Sequence, residues 1–185
     1  MIFLGAISLL SVVQHLVTSV STLSPANISF VNSIFGLSEF VLLLCLFRLV
    51  VTTRLLRESL YTVLIAFVSV SVTVYALRNT AQYASTLNMV AAFLLLLVAV
   101  VALLQLIREK QLFIFQSPMF WVAGGSICYF TMFLLTGFVG MQGKEGSALQ
   151  HEKLVLLSVI NCIRYLFFIV AAWVAQPTEE KNLPY

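Results

Sequence analysis

The chain has 185 residues, 61% of them hydrophobic and 9% charged, with a formal net charge of +3. A soluble domain carries about 25% charged residues, so this composition excludes a soluble globular class and gives an integral membrane protein. The apolar runs are long and lack period-2 alternation, which selects an all-α, polytopic transmembrane helical bundle over a β-barrel, and the small, scattered positive charge offers no nucleic-acid surface.

A helix needs about 20 apolar residues to cross the hydrocarbon core. Six such runs fit, at approximately 1–22, 28–50, 59–77, 86–107, 118–141 and 154–175, as one domain over 1–177 with a short polar cytoplasmic tail at 178–185. The first opens on Met1-Ile2-Phe3-Leu4, has neither a basic lead-in nor a small-residue cleavage pattern, and is expected to stay as a helix. It carries Gln14 and His15 in the outer half of the bilayer. An intramembrane histidine is either neutral and hydrogen-bonded to a neighbouring helix or a group that titrates near neutrality.

A polar turn, 23–27, leads to the second run, where Asn32, Gly36 and Glu39 fall at i, i+4 and i+7 and share one face. A basic connection over 52–58 precedes the third run. The fourth is almost purely apolar beyond Asn88. Pro118 suits the first turn of the fifth run. There Gly124, Gly125 and Ser126 let another helix approach closely, and Tyr129, deep in the membrane, needs a hydrogen-bond partner. After a loop over 142–153, the sixth run places Ser158, Asn161, Arg164 and Tyr165 on one face, and Pro177 stops it. The second, fourth and sixth runs begin with similar tetrads around Asn32, Asn88 and Asn161, a weak internal echo.

Orientation follows from Lys and Arg. One side carries Arg48, Arg54, Arg57, Arg108, Lys110 and Lys181, and the other Arg78, Lys144 and Lys153, which puts both termini in the cytoplasm. Trp121 and Trp173 then lie near the cytoplasmic interface.

Glu39 and Arg164 are the informative pair. Each falls roughly 15–16 Å into its run at 1.5 Å per residue, so an ion pair forms if the two helices are neighbours. A charge at the bilayer centre costs at least about 2.5–3.5 kcal/mol and needs such a partner. Two readings stay open: a pair that fixes helix register, or a buried polar site for an anion, a proton or a polar head group. Asn32, Asn161, Tyr129 and His15 are the candidate companions, with Gly36, Gly124 and Gly125 as helix-contact positions. Catalysis finds no support. The chain contains no Asp and no G-x-S-x-G, and its Cys and His residues show no metal-ligand spacing, so neither catalytic residues, a metal nor a cofactor is expected. Cys45, Cys128 and Cys162 fall inside runs and read as apolar side chains.

The block Pro118-x-Phe120-Trp121-x-x-x-Gly125-x-x-x-Tyr129-Phe130, followed by Asn161-x-x-x-Tyr165-x-x-Phe168, resembles a group of bacterial multi-helix membrane regions. The stretch from Asn32 to Glu39 is similar to an Asn-to-Glu motif of the same regions. Many of those carry seven helices and stand before histidine kinase modules, while others occur alone. Against that pattern the expectation is a chain without the first helix and without a kinase, so the resemblance implies a sensory unit whose transmitter is another protein. It also implies a bacterial inner membrane. The expectation is therefore a non-enzymatic sensory or transducing bundle in a lipid bilayer, acting through a protein partner. An accessory structural subunit of a larger membrane complex and a small transporter or channel are the alternatives, the last disfavoured by the apolar fourth run.

Overall fold

The computed structural model describes residues 25–76, 80–108, 114–142 and 147–175, together with Gly5, Ile7, Leu9, Leu10 and Val13. Five helices are described there: α1 (Pro25–Val50), α2 (Arg54–Ala76), α3 (Thr80–Arg108), α4 (Pro118–Gln142) and α5 (Ser147–Val174). The described residues contain no strand, so the fold is all-α. Segments of α2, α3, α4 and α5 are long and apolar enough to cross a membrane (Arg54–Val74, Ser85–Arg108, Pro118–Phe138 and Val155–Val174), which makes this a multi-pass membrane protein. Of the run at 1–22, the five described residues are helical, and Ile7, 1% exposed, belongs to the apolar core. His15 and the tail at 178–185 lie outside the described residues.

The helices outrun the apolar stretches that announce them. α3 begins at Thr80 and α5 at Ser147, well before the apolar runs at 86 and 154. An α-helix satisfies its own backbone groups whether its side chains meet lipid or water, so polar flanks rich in Ala, Leu, Gln, Glu and Lys continue it. Pro25 and Pro118 each occupy a first helical position, where the missing N–H costs nothing. Ahead of α4, a 3₁₀ turn (Ile114–Gln116) is clamped by the Trp121 indole N–H, which donates to the Phe115 carbonyl at 2.8 Å. Between α1 and α2 only three residues intervene. There the Gln105 side chain of α3 donates to Thr53 Oγ1 at 3.3 Å and to Thr52 Oγ1, so three helices meet at one fixed corner.

The main contacts run from α1 to α3, from α3 to α4 and from α4 to α5, with α2 lying lightly against α1 and α3. Short connections make successive helices antiparallel neighbours. On α3, Ala92, Leu95, Ala99, Ala102 and Leu106 repeat at alternating steps of three and four and are all buried, the spacing of one helical seam. Three of the five are alanines, which let α1 and α4 close on α3 from both sides. Into that seam α1 sends Phe40, Leu43, Leu44 and Phe47, each at most 1% exposed. α2 buries far less: Leu60, Phe67 and Ser71 form its seam, and the Phe67 ring stands 4.4 Å from that of Phe40. Outward faces carry exposed Leu, Val, Ile and Phe, as a surface turned to acyl chains does.

Two glycines of α4 separate rigid from soft contact. A Cβ on Gly125 would come 2.7 Å from Phe167 Cβ, an atom tied to the α5 backbone. One on Gly137 would meet only the flexible Met89 side chain, with its terminal methyl nearest at 3.1 Å. Gly125→Ala should therefore push α5 off α4 and cost about 1–3 kcal/mol of unfolding free energy in mixed micelles. Gly137→Ala should leave that value unchanged or slightly raised, because the methionine yields and alanine favours the helix.

Candidate functional site

Arg164 is the largest nearly fully buried side chain among the described residues, at 2% exposure. It sits on the face of α5 that meets α4, and Gly125 sets that meeting, since a Cβ there would also lie 3.5 Å from the Arg164 carbonyl. The guanidinium crosses over Tyr129 of α4, its central carbon 3.9 Å from the ring centroid. Tyr165 and Phe168 of α5 lie behind it at 5.3 and 5.8 Å. Three ring faces thus surround the cation and offset part of its desolvation. Nη1 donates to Glu39 Oε1 on α1, and Nη2 approaches Tyr165 Oη at 3.5 Å.

The two charged residues therefore meet, although α1 and α5 share little backbone contact. α1 and α5 are not among the principal helix neighbours; α3 and α4 stand between them in the contact order. The arginine side chain extends from α5 over the Tyr129 ring of α4 to the carboxylate on α1. Glu39 is less enclosed than its partner, its side chain 21% exposed against 2%.

That exposure opens into a cavity of about 250 Å³. α1 contributes Gly36, Glu39 and Phe40; α3 contributes Asn88, Ala92 and Leu95; α4 contributes Tyr129, Phe130 and Phe133. Tyr129 belongs both to the cavity lining and to the set of rings around the Arg164 guanidinium. Asn88 reaches the cavity because Gly36 has no side chain: a Cβ there would stand 3.3 Å from Asn88 Oδ1. The lining is thus a mostly aromatic and aliphatic wall with a carboxylate, a carboxamide and a phenol converging on it, the usual make-up of a small-molecule site.

Of the residues singled out from the sequence, Glu39, Arg164, Tyr129 and Gly36 come together here. Asn161 lies one turn before Arg164 and does not line the cavity; its Oδ1 is buried without a hydrogen-bond partner, as are Ser126 Oγ and Arg164 Nε. Each is a buried polar atom of α4 or α5 of the kind that an ordered water satisfies. Asn32 belongs to α1, and its side chain lies outside the described residues. Gly124 and Gly125 face the Phe167 side chain, while Gly36 faces Asn88. Sequence reasoning missed Asn88 and the phenylalanines 40, 130 and 133 as site residues. The Asn88 tetrad was the available signal; the phenylalanines carried none, because rings are common throughout so apolar a chain. Among the described residues no group of three or more His, Cys or acidic side chains gathers to hold a metal ion.

Arg164→Met alone should leave the Glu39 carboxylate unpaired at the cleft and lower stability in mixed micelles by about 3–5 kcal/mol. The double replacement Glu39→Leu/Arg164→Met should recover most of that loss, since well-fitted apolar residues replace a buried pair at little cost. Additive losses in the double variant would show that the two side chains do not act as a pair.

Comparison of the chain with protein-family models, with curated proteins and with solved structures finds no match to any of them.

Proposed function

We propose that this chain is a non-enzymatic, ligand-responsive membrane bundle that takes a small amphipathic molecule into the cleft between α1, α3 and α4 and passes its occupancy to a protein partner. The observation that carries the reading is the Glu39 carboxylate: it forms part of the cavity wall while Arg164, on another helix, holds its charge. A molecule that donates a hydrogen bond to Glu39 or Asn88 and lays an apolar body against Phe40, Phe130 and Phe133 suits the lining. Such a ligand bears directly on the one charged link between α1 and α5 among the described residues. It shifts the bundle to the extent that it prefers one geometry of that link over the other. The same reading takes the bundle as six helices with both termini in the cytoplasm, which the helical, buried Ile7 and the Lys/Arg asymmetry support.

The alternative of an accessory subunit draws on α2. That helix is held by a thin seam and leaves Tyr61, Ile65 and Val72 exposed along one side, a face suited to another membrane protein as well as to lipid.

The test uses protein extracted from its native membranes in mild detergent, examined by native mass spectrometry, beside cross-linking in the intact membranes. The wild type should carry a small molecule that is lost in Ala92→Phe, a substitution that fills the cavity. A cross-linked partner should be captured with a several-fold altered yield by the folded Glu39→Leu/Arg164→Met variant. An empty wild type, with partner capture indifferent to both variants, would sink the ligand-responsive reading. A partner in fixed stoichiometry under those same conditions would then favour the accessory subunit.

A further inference from the structure

A second cavity, about 660 Å³, lies between the last turns of α1 and the first turns of α2, separate from the central cleft. On α1 it is lined by Arg48 and its apolar neighbours Cys45 and Leu49, and on α2 by Arg57, Glu58 and Tyr61. Its charge is unbalanced. Glu58 is the one acidic residue in the lining, and its carboxylate is taken by Arg54, whose Nε lies 2.8 Å from Oε1. Arg48 and Arg57 therefore face the groove with no carboxylate partner among the described residues. Arg48 is held across the groove by the Tyr61 ring, its guanidinium carbon 5.0 Å from the centroid. The spacing of the two helices is set at the corner where Gln105 binds Thr52 and Thr53.

The location adds a second constraint. The candidate span of α2 begins at Arg54 and α1 ends at Val50, so the groove sits where the lipid-facing segments meet water. Beside it, Leu49 and Leu55 are 71% and 76% exposed, an apolar flank directly against a cationic hollow. Guanidinium groups bind phosphate oxygens through paired N–H donors, and a basic pocket between helices at a membrane surface draws anionic head groups. A ligand that satisfies both halves of the groove has a phosphate joined to apolar chains.

We propose that this groove binds the phosphate of an anionic phospholipid, with Arg48 and Arg57 on the phosphate and with Leu49 and Cys45 alongside the start of the acyl chains. The proposal is independent of what the central cleft binds. The full chain in mild detergent, with phosphatidylglycerol or phosphatidylcholine added in equal amounts, is compared by native mass spectrometry of retained lipid. The wild type should retain phosphatidylglycerol in preference to phosphatidylcholine. Arg57→Gln should lower that retention about fivefold, the effect of removing one surface cation at a lipid site. Arg108→Gln removes the same charge outside the groove and should leave retention little changed. Absence of a lipid preference would overturn the proposal, and so would equal effects of the two substitutions, which would mean general surface charge. Displacement of phosphatidylglycerol by inorganic phosphate would also overturn it, because the site would then belong to a soluble phosphate. Arg57 is exposed, so its replacement leaves the folded bundle intact for the comparison.

Discussion

A guanidinium ion in the interior of a lipid-embedded bundle has to be surrounded before the helices around it can close, and the centre of this protein is arranged to do that for Arg164. Water is the ordinary partner of such a group; here a carboxylate from α1 and the faces of Tyr129, Tyr165 and Phe168 take its place. The glycines of α4 belong to the same arrangement. Gly125 lets Phe167 and the Arg164 backbone settle against α4, and that approach lays the guanidinium over Tyr129. The pair adds little net stability relative to an apolar filling, because desolvation offsets most of the Coulomb gain. Its physical consequence is specificity: α1 and α5, which are not principal neighbours, are held in one relation by a single strong contact.

Around that contact the bundle is asymmetric. α1, α3 and α4 close on an alanine-lined seam and are well buried, whereas α2 rests on a thin line of contact with most of its surface free. A helix held so lightly moves at lower cost than one packed on two sides. The corner at Gln105, Thr52 and Thr53 limits that freedom at one end of α2, and Phe67 and Ser71 are the buried contacts farther along it. The structure thus combines a closely packed core with a lightly packed outer helix.

Two chemically different hollows follow from this arrangement. The central one is aromatic with a few convergent polar groups and has a neutralised carboxylate in its wall. The peripheral one is cationic and lies beside exposed leucines at the edge of the lipid-facing segments. The first suits a small amphipathic molecule that must leave water to reach it, the second a head group already at the surface. α1 lines both, so anything that moves α1 bears on the two together.

Class and depth were legible in the chain itself. Apolar runs of spanning length demand helices because lipid offers the backbone no hydrogen bonds, and a rise of 1.5 Å per residue places Glu39 and Arg164 at matching depth. Helix ends were less legible, since helical hydrogen bonding continues past the apolar stretch into polar flanks such as 80–85 and 147–153. Which helices adjoin is a property of three-dimensional contact, and no periodicity in one chain encodes it. Tertiary structure alone therefore decided that Arg164 reaches Glu39 over the Tyr129 ring of α4, that Gly36 makes room for Asn88, and that three phenylalanines and a carboxylate line a cleft. Concavity arises from the gap left between helices, and each helix contributes to it only a face whose neighbours its own sequence does not name.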